Sequence, residues 1–234
     1  MNIIAIKTKI YLLEDVSQEN ALEAIAAFVD KALCEDPKWE KEHKENKYKV
    51  YICSGLAPVE KFGVYKKDSL YNFTLRTLDM PLAKYLMDKL ANTQTKIMKG
   101  IVNEVWPVLK KPIEKLYSLT PVIIKSETGK YWRGNMSLED YQNRIRINLI
   151  KKYNQIVETK IDEDFDLWNL FEFKNQKPIA TPYKNIKLLG DKVELRIADN
   201  QRAQDLAYMA LATGLGEMGS RNFGYVNYHT VKGV

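Results

Sequence analysis

The chain contains two histidines, and one of them, His43, sits among cations. In the stretch WEKEHKENKYK, Lys44, Lys47, Tyr48 and Lys49 follow His43 within six residues. An imidazole titrates near ~6.5, so it can take or give a proton at neutral pH, and a neighbouring ammonium can stabilise anionic charge as it develops. That pairing suits acid–base chemistry at a phosphate. The same stretch alternates acids and bases, which is also the pattern of a solvated loop, so residue types alone leave both readings open. His229 lies among Tyr228, Thr230 and Val231, where a structural or surface role is expected.

A second cluster lies near the C-terminus, in GLGEMGSRNFGYV, residues 214–226. Its first six residues match G-x-G-x-x-G, a dinucleotide-binding pattern that requires a strand before the glycines and a helix after them. Here the order is reversed. NQRAQDLAYMALAT before the glycines has helical spacing, and FGYVNYHTV after them is aromatic and β-branched. Gly219 is followed by Ser220 and Arg221 instead of Lys and a hydroxyl residue, which excludes a P-loop. What remains is a glycine-rich loop with Arg221 at its tip. Ser220, Arg221 and free backbone N–H groups there could meet a phosphate, and close backbone approach accounts for Gly214 and Gly216 together.

The net charge is +6, the pI about 9.0, and there are 14 tyrosines. Cationic, aromatic surfaces suit nucleic acid, where charge meets phosphate and rings stack on bases. No CxxC, HExxH or carboxylate cluster suggests a metal, so neither metal nor cofactor is expected. Cys34 and Cys53 form no ligand pattern and are expected to be reduced. No apolar run approaches the ~18 residues of a membrane span. The N-terminus MNIIAIKTKIYL begins like a strand, so no signal peptide and a cytoplasmic location are expected. In GKYWRG, Trp132 and Arg133 form a tip between elements, where packing on the protein is the commoner fate of such an aromatic.

The elements that must position these groups form a pattern that occurs twice. IIAIKTKIYLL predicts a strand. SQENALEAIAAFVDKAL predicts a helix capped by Ser17, with Leu22, Ile25, Phe28 and Val29 on one face. YKVYIC, beginning at Tyr48 and carrying Lys49 into a fixed position, and SLYNFTLRTL predict strands. DMPLAKYLMDKLAN predicts a helix capped by Asp79 with Pro81 in its first turn, and TKIMKGIVNEVW a strand. After a linker PVLKKP (107–112) the order recurs. KLYSLTPVIIKS is a strand, and SLEDYQNRIRINLIKKYNQIV a helix capped by Ser137 with Leu138, Tyr141, Ile145, Leu149 and Tyr153 on a stripe. DLWNLFEFK and NIKLLGDKVELRIAD are strands, followed by a helix from Asn200 and a last strand. Arg144, Arg146, Lys151 and Lys152 on the long helix read mostly as a solvated face. Each βαββαβ set predicts an antiparallel sheet with two helices on one face, so the fold class is α+β: two tandem ferredoxin-like domains, residues 1–110 and 111–234.

With this layout, three features together resemble the Cas6 endoribonucleases of CRISPR systems. They are the tandem ferredoxin-like order, the C-terminal GLGEMGSRNFGYV, and the histidine leading into a strand in HKENKYKVYICSGL; LYSLTPVIIKSETGKYW is also similar to the family's second-domain opening. Asn222 stands where the family has the first glycine of a Gly-Phe-Gly ending, and since Asn tolerates a left-handed backbone the loop shape is expected to persist. The tyrosine that some members carry on the first helix is missing, with Phe28 the only aromatic there, which leaves a third catalytic role unassigned.

The resemblance implies a metal-independent endoribonuclease that cuts CRISPR precursor RNA within its repeats. A 2′-hydroxyl would attack, leaving a 2′,3′-cyclic phosphate and a 5′-hydroxyl. The alternative is a non-cleaving subunit that holds repeat RNA in a multisubunit CRISPR effector complex. The resemblance puts His43 in the catalytic role, with Lys49 the first choice of partner and Lys47 the second. Gly214, Gly216, Ser220, Arg221, Lys44 and Arg144 are the expected RNA contacts. The partner is CRISPR repeat RNA, the assembly a monomer or homodimer, and no membrane is involved.

Overall fold

The computed structural model describes residues 1–184 and 186–231. Asn185, at the head of an expected strand, and residues 232–234, at the end of the expected second domain, lie outside them.

The first half runs β1 (Ile3–Leu12), β2 (Val16–Ser17), α1 (Ala21–Leu33), α2 (Pro37–Lys44), β3 (Tyr51–Cys53), β4 (Val64–Tyr65), β5 (Leu70–Thr77), α3 (Met80–Lys89) and β6 (Met98–Val108). The second runs β7 (Ile113–Ser118), α4 (Leu138–Val157), β8 (Trp168–Phe173), β9 (Ile179–Tyr183), β10 (Ile186–Gly190), β11 (Val193–Ile197), α5 (Gln201–Thr213), a 3-10 turn (Gly219–Arg221) and β12 (Val226–Thr230). The first sheet has the order β3-β5-β1-β6 and the second β12-β7-β11-β8. In both, the first strand of the set lies between the third and the fourth, with every neighbouring pair antiparallel. That is the ferredoxin-like arrangement, formed twice.

Strand alternation decides how the halves meet. Ile6, Ile10 and Leu12 of β1 enter a core with Ile25, Phe28 and Val29 of α1 and Leu82 and Leu86 of α3. Ile3 and Ala5, on the opposite face, enter the other core with Leu206, Tyr208 and Met209 of α5. The hydroxyl of Tyr208 accepts from Ile3 N–H at 3.1 Å and donates to the Val108 carbonyl at 2.6 Å. Arg76 of β5 donates to the Val226 carbonyl at 2.8 Å. The first sheet is thus covered by its own helices on one side and by α5 on the other, so the loop leaving α5 is fixed relative to β3.

Several expectations are corrected. Ser17 is not a helix cap: it pairs with Val64 in a two-residue ladder, and α1 starts after Asn20, which makes no side-chain cap bond. The stretch around His43 is not a loop, since α2 forms there. Strand β3 begins at Tyr51, so Lys49 precedes it. Strand β6 continues through Pro107 and Val108, which pair with Ile4 and Ile3, shortening the linker to residues 109–112. Leu138 is 49% exposed and falls off the α4 stripe, whereas Lys152 is buried. The strand expected over NIKLLGDKVELRIAD is two strands in different sheets, β10 forming a hairpin with β9.

Candidate functional site

Helix α2 exists because its ends are satisfied. The Asp36 carboxylate accepts from Lys38 N–H at 2.8 Å, and Pro37 takes the first helical position, where its missing N–H costs nothing. At the other end the Lys49 ammonium donates to the carbonyls of Glu42 and Glu45, at 2.6 and 2.7 Å. A cation on the last carbonyls completes the helix and complements its dipole. His43 lies in this last turn, so Lys49 fixes the backbone that carries the imidazole.

The imidazole is engaged at both nitrogens. Nε2 lies 3.3 Å from Oδ1 of Asp30 on α1, and Nδ1 lies 3.3 Å from the Tyr51 hydroxyl on β3. The other oxygen of Asp30 accepts from Arg221 at 2.5 Å. Burial pulls the His43 pKa below its ordinary value. The Asp30 carboxylate opposes this, and Arg221, Lys49 and Lys44 add to the depression. Burial drives the Tyr51 phenol far upward, so its hydroxyl stays protonated behind the ring. His43 and Arg221, 178 positions apart by their numbering (221 − 43), therefore meet on one carboxylate.

Arg221 is delivered by the glycine-rich loop, whose shape rests on three devices. Gly216 has φ +70°, and a Cβ there would stand 2.8 Å from the Ile123 carbonyl oxygen; at Gly214, also at φ +70°, it would meet Ile52 at 2.5 Å. Both glycines answer packing against β3 and the segment after β7. Asn222 takes the left-handed conformation at φ +69°. Its side chain accepts from Cys53 N–H at 3.2 Å and donates to the Leu22 carbonyl at 3.1 Å, while Thr120 donates to its own carbonyl at 2.7 Å. The third device is Lys152 of α4, wholly buried, whose ammonium donates to the carbonyls of Thr213, Gly214 and Gly216 at 3.1, 2.9 and 3.0 Å. An ammonium has three donors, and all are used. Burial lowers the Lys152 pKa to about 7.

Two hollows flank the loop before β3. One, of about 540 Å³, runs between the halves and includes Lys47, Arg144, Lys151 and Ser220 in its wall. The other, of about 330 Å³, is lined by His43, Trp39 and Tyr51. Lys47, Tyr48 and Lys49 border both. Gln155 of α4 clasps the Tyr48 backbone through N–H and carbonyl, at 3.1 and 2.9 Å, holding this border to the second half. Lys47 pairs with Glu45 at 2.8 Å, Lys44 with Glu40 at 2.6 Å and Arg144 with Glu217 at 3.4 Å. The two lysine pairs lie toward solvent and are each worth little, and Arg144–Glu217 is half-buried.

The structure therefore brings His43, Lys49, Lys47, Arg221, Ser220 and Arg144 around one region, and places Gly214 and Gly216 beneath it. Lys44 points along α2 to Glu40. The N–H of Arg221 is not free, since it donates to the Met218 carbonyl at 2.9 Å. Trp132 is buried, donating at 2.6 Å to Asp191, which also holds Tyr131, Arg133 and Asn175; this tip is a packing unit. His229 is exposed and stacks on Tyr117. Among the described residues no group of three His, Cys, Asp or Glu side chains is placed to hold a metal ion, and no helix is long and apolar enough to cross a membrane.

Three residues of the site carried no signal of their own. Asp30 and Tyr51 look like ordinary members of a helix and a strand, and Lys152 looked like part of a charged helix face. The Asp36–Pro37 pair, a cap followed by a first-turn proline, was the one readable sign of α2.

The family model for the C-terminal part of CRISPR-associated protein Cas6 matches residues 107–228. A solved structure described as an RAMP protein binding different RNA substrates superposes with a TM-score of 0.70 at 15% identity, over 97% of this chain and 99% of the other. The product of a Cas6-related gene from Pyrococcus furiosus gives 0.67 at 16%, over 99% and 100%. A Cas6 product complex gives 0.60 at 16%, over 97% and 99%. At these identities the likeness is one of fold. No curated protein matches the sequence.

Proposed function

The chain belongs to the Cas6 family of CRISPR-associated proteins, and from that premise we propose that it binds CRISPR repeat RNA and cuts it without a metal. The observation that carries this reading is that His43, in the smaller hollow, meets Arg221 on Asp30, and that this hollow shares Lys47, Tyr48 and Lys49 with the cationic one between the halves. In the reaction, a 2′-oxygen attacks the adjacent phosphorus and loses its proton to a base. The bond from phosphorus to the 5′-oxygen breaks, and that oxygen gains a proton from an acid. The products are a 2′,3′-cyclic phosphate and a 5′-hydroxyl. His43 takes one of the two proton-transfer roles through Nε2, which faces the partly exposed Asp30 carboxylate and not buried Tyr51, once the RNA oxygen displaces that carboxylate from it. Arg221 and Lys47 supply charge to the phosphorane, and Lys49 holds the helix end that carries the imidazole. Arg144, Ser220 and Lys44 contact the RNA backbone, and the glycines let the loop sit close enough for Arg221 to reach it. The chain fills these roles as two domains, 1–110 and 111–234, acting in the cytoplasm as a monomer or homodimer.

A second reading, an RNA-holding subunit of an effector complex that does not cut, is favoured by one observation. In the RNA-free protein both His43 nitrogens and the Lys49 ammonium are already occupied. One experiment separates the two. Repeat RNA from the source genome's own array is incubated with excess protein in EDTA, alongside His43→Ala. The cleaving reading predicts wild-type cutting and a loss of about 10²–10⁴ in rate for the variant, with binding within a few-fold. Binding without cutting by the wild type would select the second reading.

A further inference from the structure

We propose that Asp30 is the positioning residue of the site, holding His43 and Arg221 in one arrangement before RNA arrives. The inference rests on the placement of His43 in the chemistry above, and goes beyond it by filling the role that no aromatic on α1 can take.

The geometry is specific. Asp30 lies in the last turn of α1, on the opposite wall from α2, and its two oxygens go to different partners: one to His43 Nε2 at 3.3 Å, the other to Arg221 at 2.5 Å. The carboxylate is about one-quarter exposed and His43 less so, which leaves the pair partly desolvated. Tyr51 closes the far side of the ring. A ring held by a hydroxyl at Nδ1 and a carboxylate at Nε2 has one orientation. Besides Asp30, the charges that act on the ring are Lys44 on its own helix, Lys49 before β3 and Arg221 on the 3-10 turn, while the carboxylates Glu42, Glu45 and Asp79 also border its hollow. Without the Asp30 charge, burial and three cations act together against the imidazolium. Arg221 also loses its only ion-pair partner among the described residues. Incoming RNA then finds the two groups already assembled: a phosphate oxygen takes the place of one carboxylate oxygen on Arg221, and the reacting oxygen takes the place of the other at His43 Nε2.

The test uses the full chain and two readouts. With only two histidines, imidazole NMR of the RNA-free protein resolves each titration, and His43→Ala assigns the peaks. In Asp30→Asn, which keeps the shape, the His43 pKa is expected to fall by about one unit or more. Asp30→Glu should restore part of the shift. In single-turnover cleavage the limb of the pH–rate profile that His43 sets, the acidic one if it is the base and the basic one if it is the acid, should move down with it. An unchanged His43 titration in a folded Asp30→Asn protein overturns the proposal, whatever the rate. If the wild type does not cleave, the cleaving reading fails on its own and the titration still decides the role of Asp30.

Discussion

Replacing Asn222 separates what its side chain does from what its backbone does. The side chain is buried and joins the loop to two places in the first half, Cys53 N–H on β3 and the Leu22 carbonyl on α1. Asn222→Gly keeps the left-handed conformation and removes both bonds. It leaves the Cys53 N–H a buried donor without its partner, at a cost of about 1–3 kcal/mol, while the Leu22 carbonyl stays in the α1 hydrogen-bond ladder. Glycine's ease at positive φ and its greater freedom in the unfolded chain offset each other to within about 1 kcal/mol. Asn222→Ala loses the same bonds and must also place a Cβ at φ +69°, adding about 1–2 kcal/mol. The expected order of stability in urea unfolding is wild type, then Gly, then Ala, with near-equal m-values. The RNA-free structure should loosen first at Arg221, the neighbouring residue. If Asn222→Gly lies within about 0.5 kcal/mol of wild type, the level of an ordinary surface change, the side chain is not the fastener described above. If Gly and Ala are equally destabilised, the left-handed backbone carries no cost and the loop argument fails.

Two further outcomes follow from the lysines. Burial holds the Lys152 pKa at about 7, below its ordinary 10.5, so between those values the unfolded chain keeps a proton that the folded chain has released. Stability therefore rises with pH across that window, is fully gained above 10.5 and is lost as pH falls to 7; the gain from pH 7 to 9 is about 2 kcal/mol. Denaturation of wild type and Lys152→Met at both pH values should show that difference, and a pH-independent gap would refute it. Lys49→Ala should slow single-turnover cleavage about tenfold or more, because the end of α2 that carries His43 loses its cap, whereas Lys44→Ala should stay within about threefold. Equal small effects would mean that both lysines only attract RNA.

The fold was legible because its signals are local and repeated. Asp79 and Ser137 each accept from a backbone N–H where the cap was expected, at Leu82 and Asp140, and the helix expected from Asn200 starts there, with Asn200 accepting from Ala203 N–H. Alternation in SLYNFTLRTL, with Tyr71, Phe73 and Leu75 against Asn72, Thr74 and Arg76, marked the buried face of β5. Helix α2 was missed because its eight residues contain one buried apolar side chain, Trp39, and so show no periodicity. The site was legible only in part. His43 and the glycine loop stand out by composition. Asp30 acquires its meaning only when α1, α2 and the 3-10 turn converge, which no local pattern encodes. Lys152 shows the converse: the helical spacing that put it among Arg144, Lys151 and other charges could not reveal that three carbonyls wait at the end of α5.

The most direct test of the central claim changes one atom of the substrate. A repeat RNA carrying a single 2′-deoxy nucleotide just 5′ of the cut should bind as the all-ribose RNA does, since affinity comes mainly from phosphates and from bases elsewhere. It should remain intact, because the missing hydroxyl is the proposed nucleophile. EDTA should leave cutting of the all-ribose RNA unchanged. Cutting of the deoxy-substituted RNA at the same bond, or loss of activity in EDTA, would contradict the account and remove His43 from the role given to it.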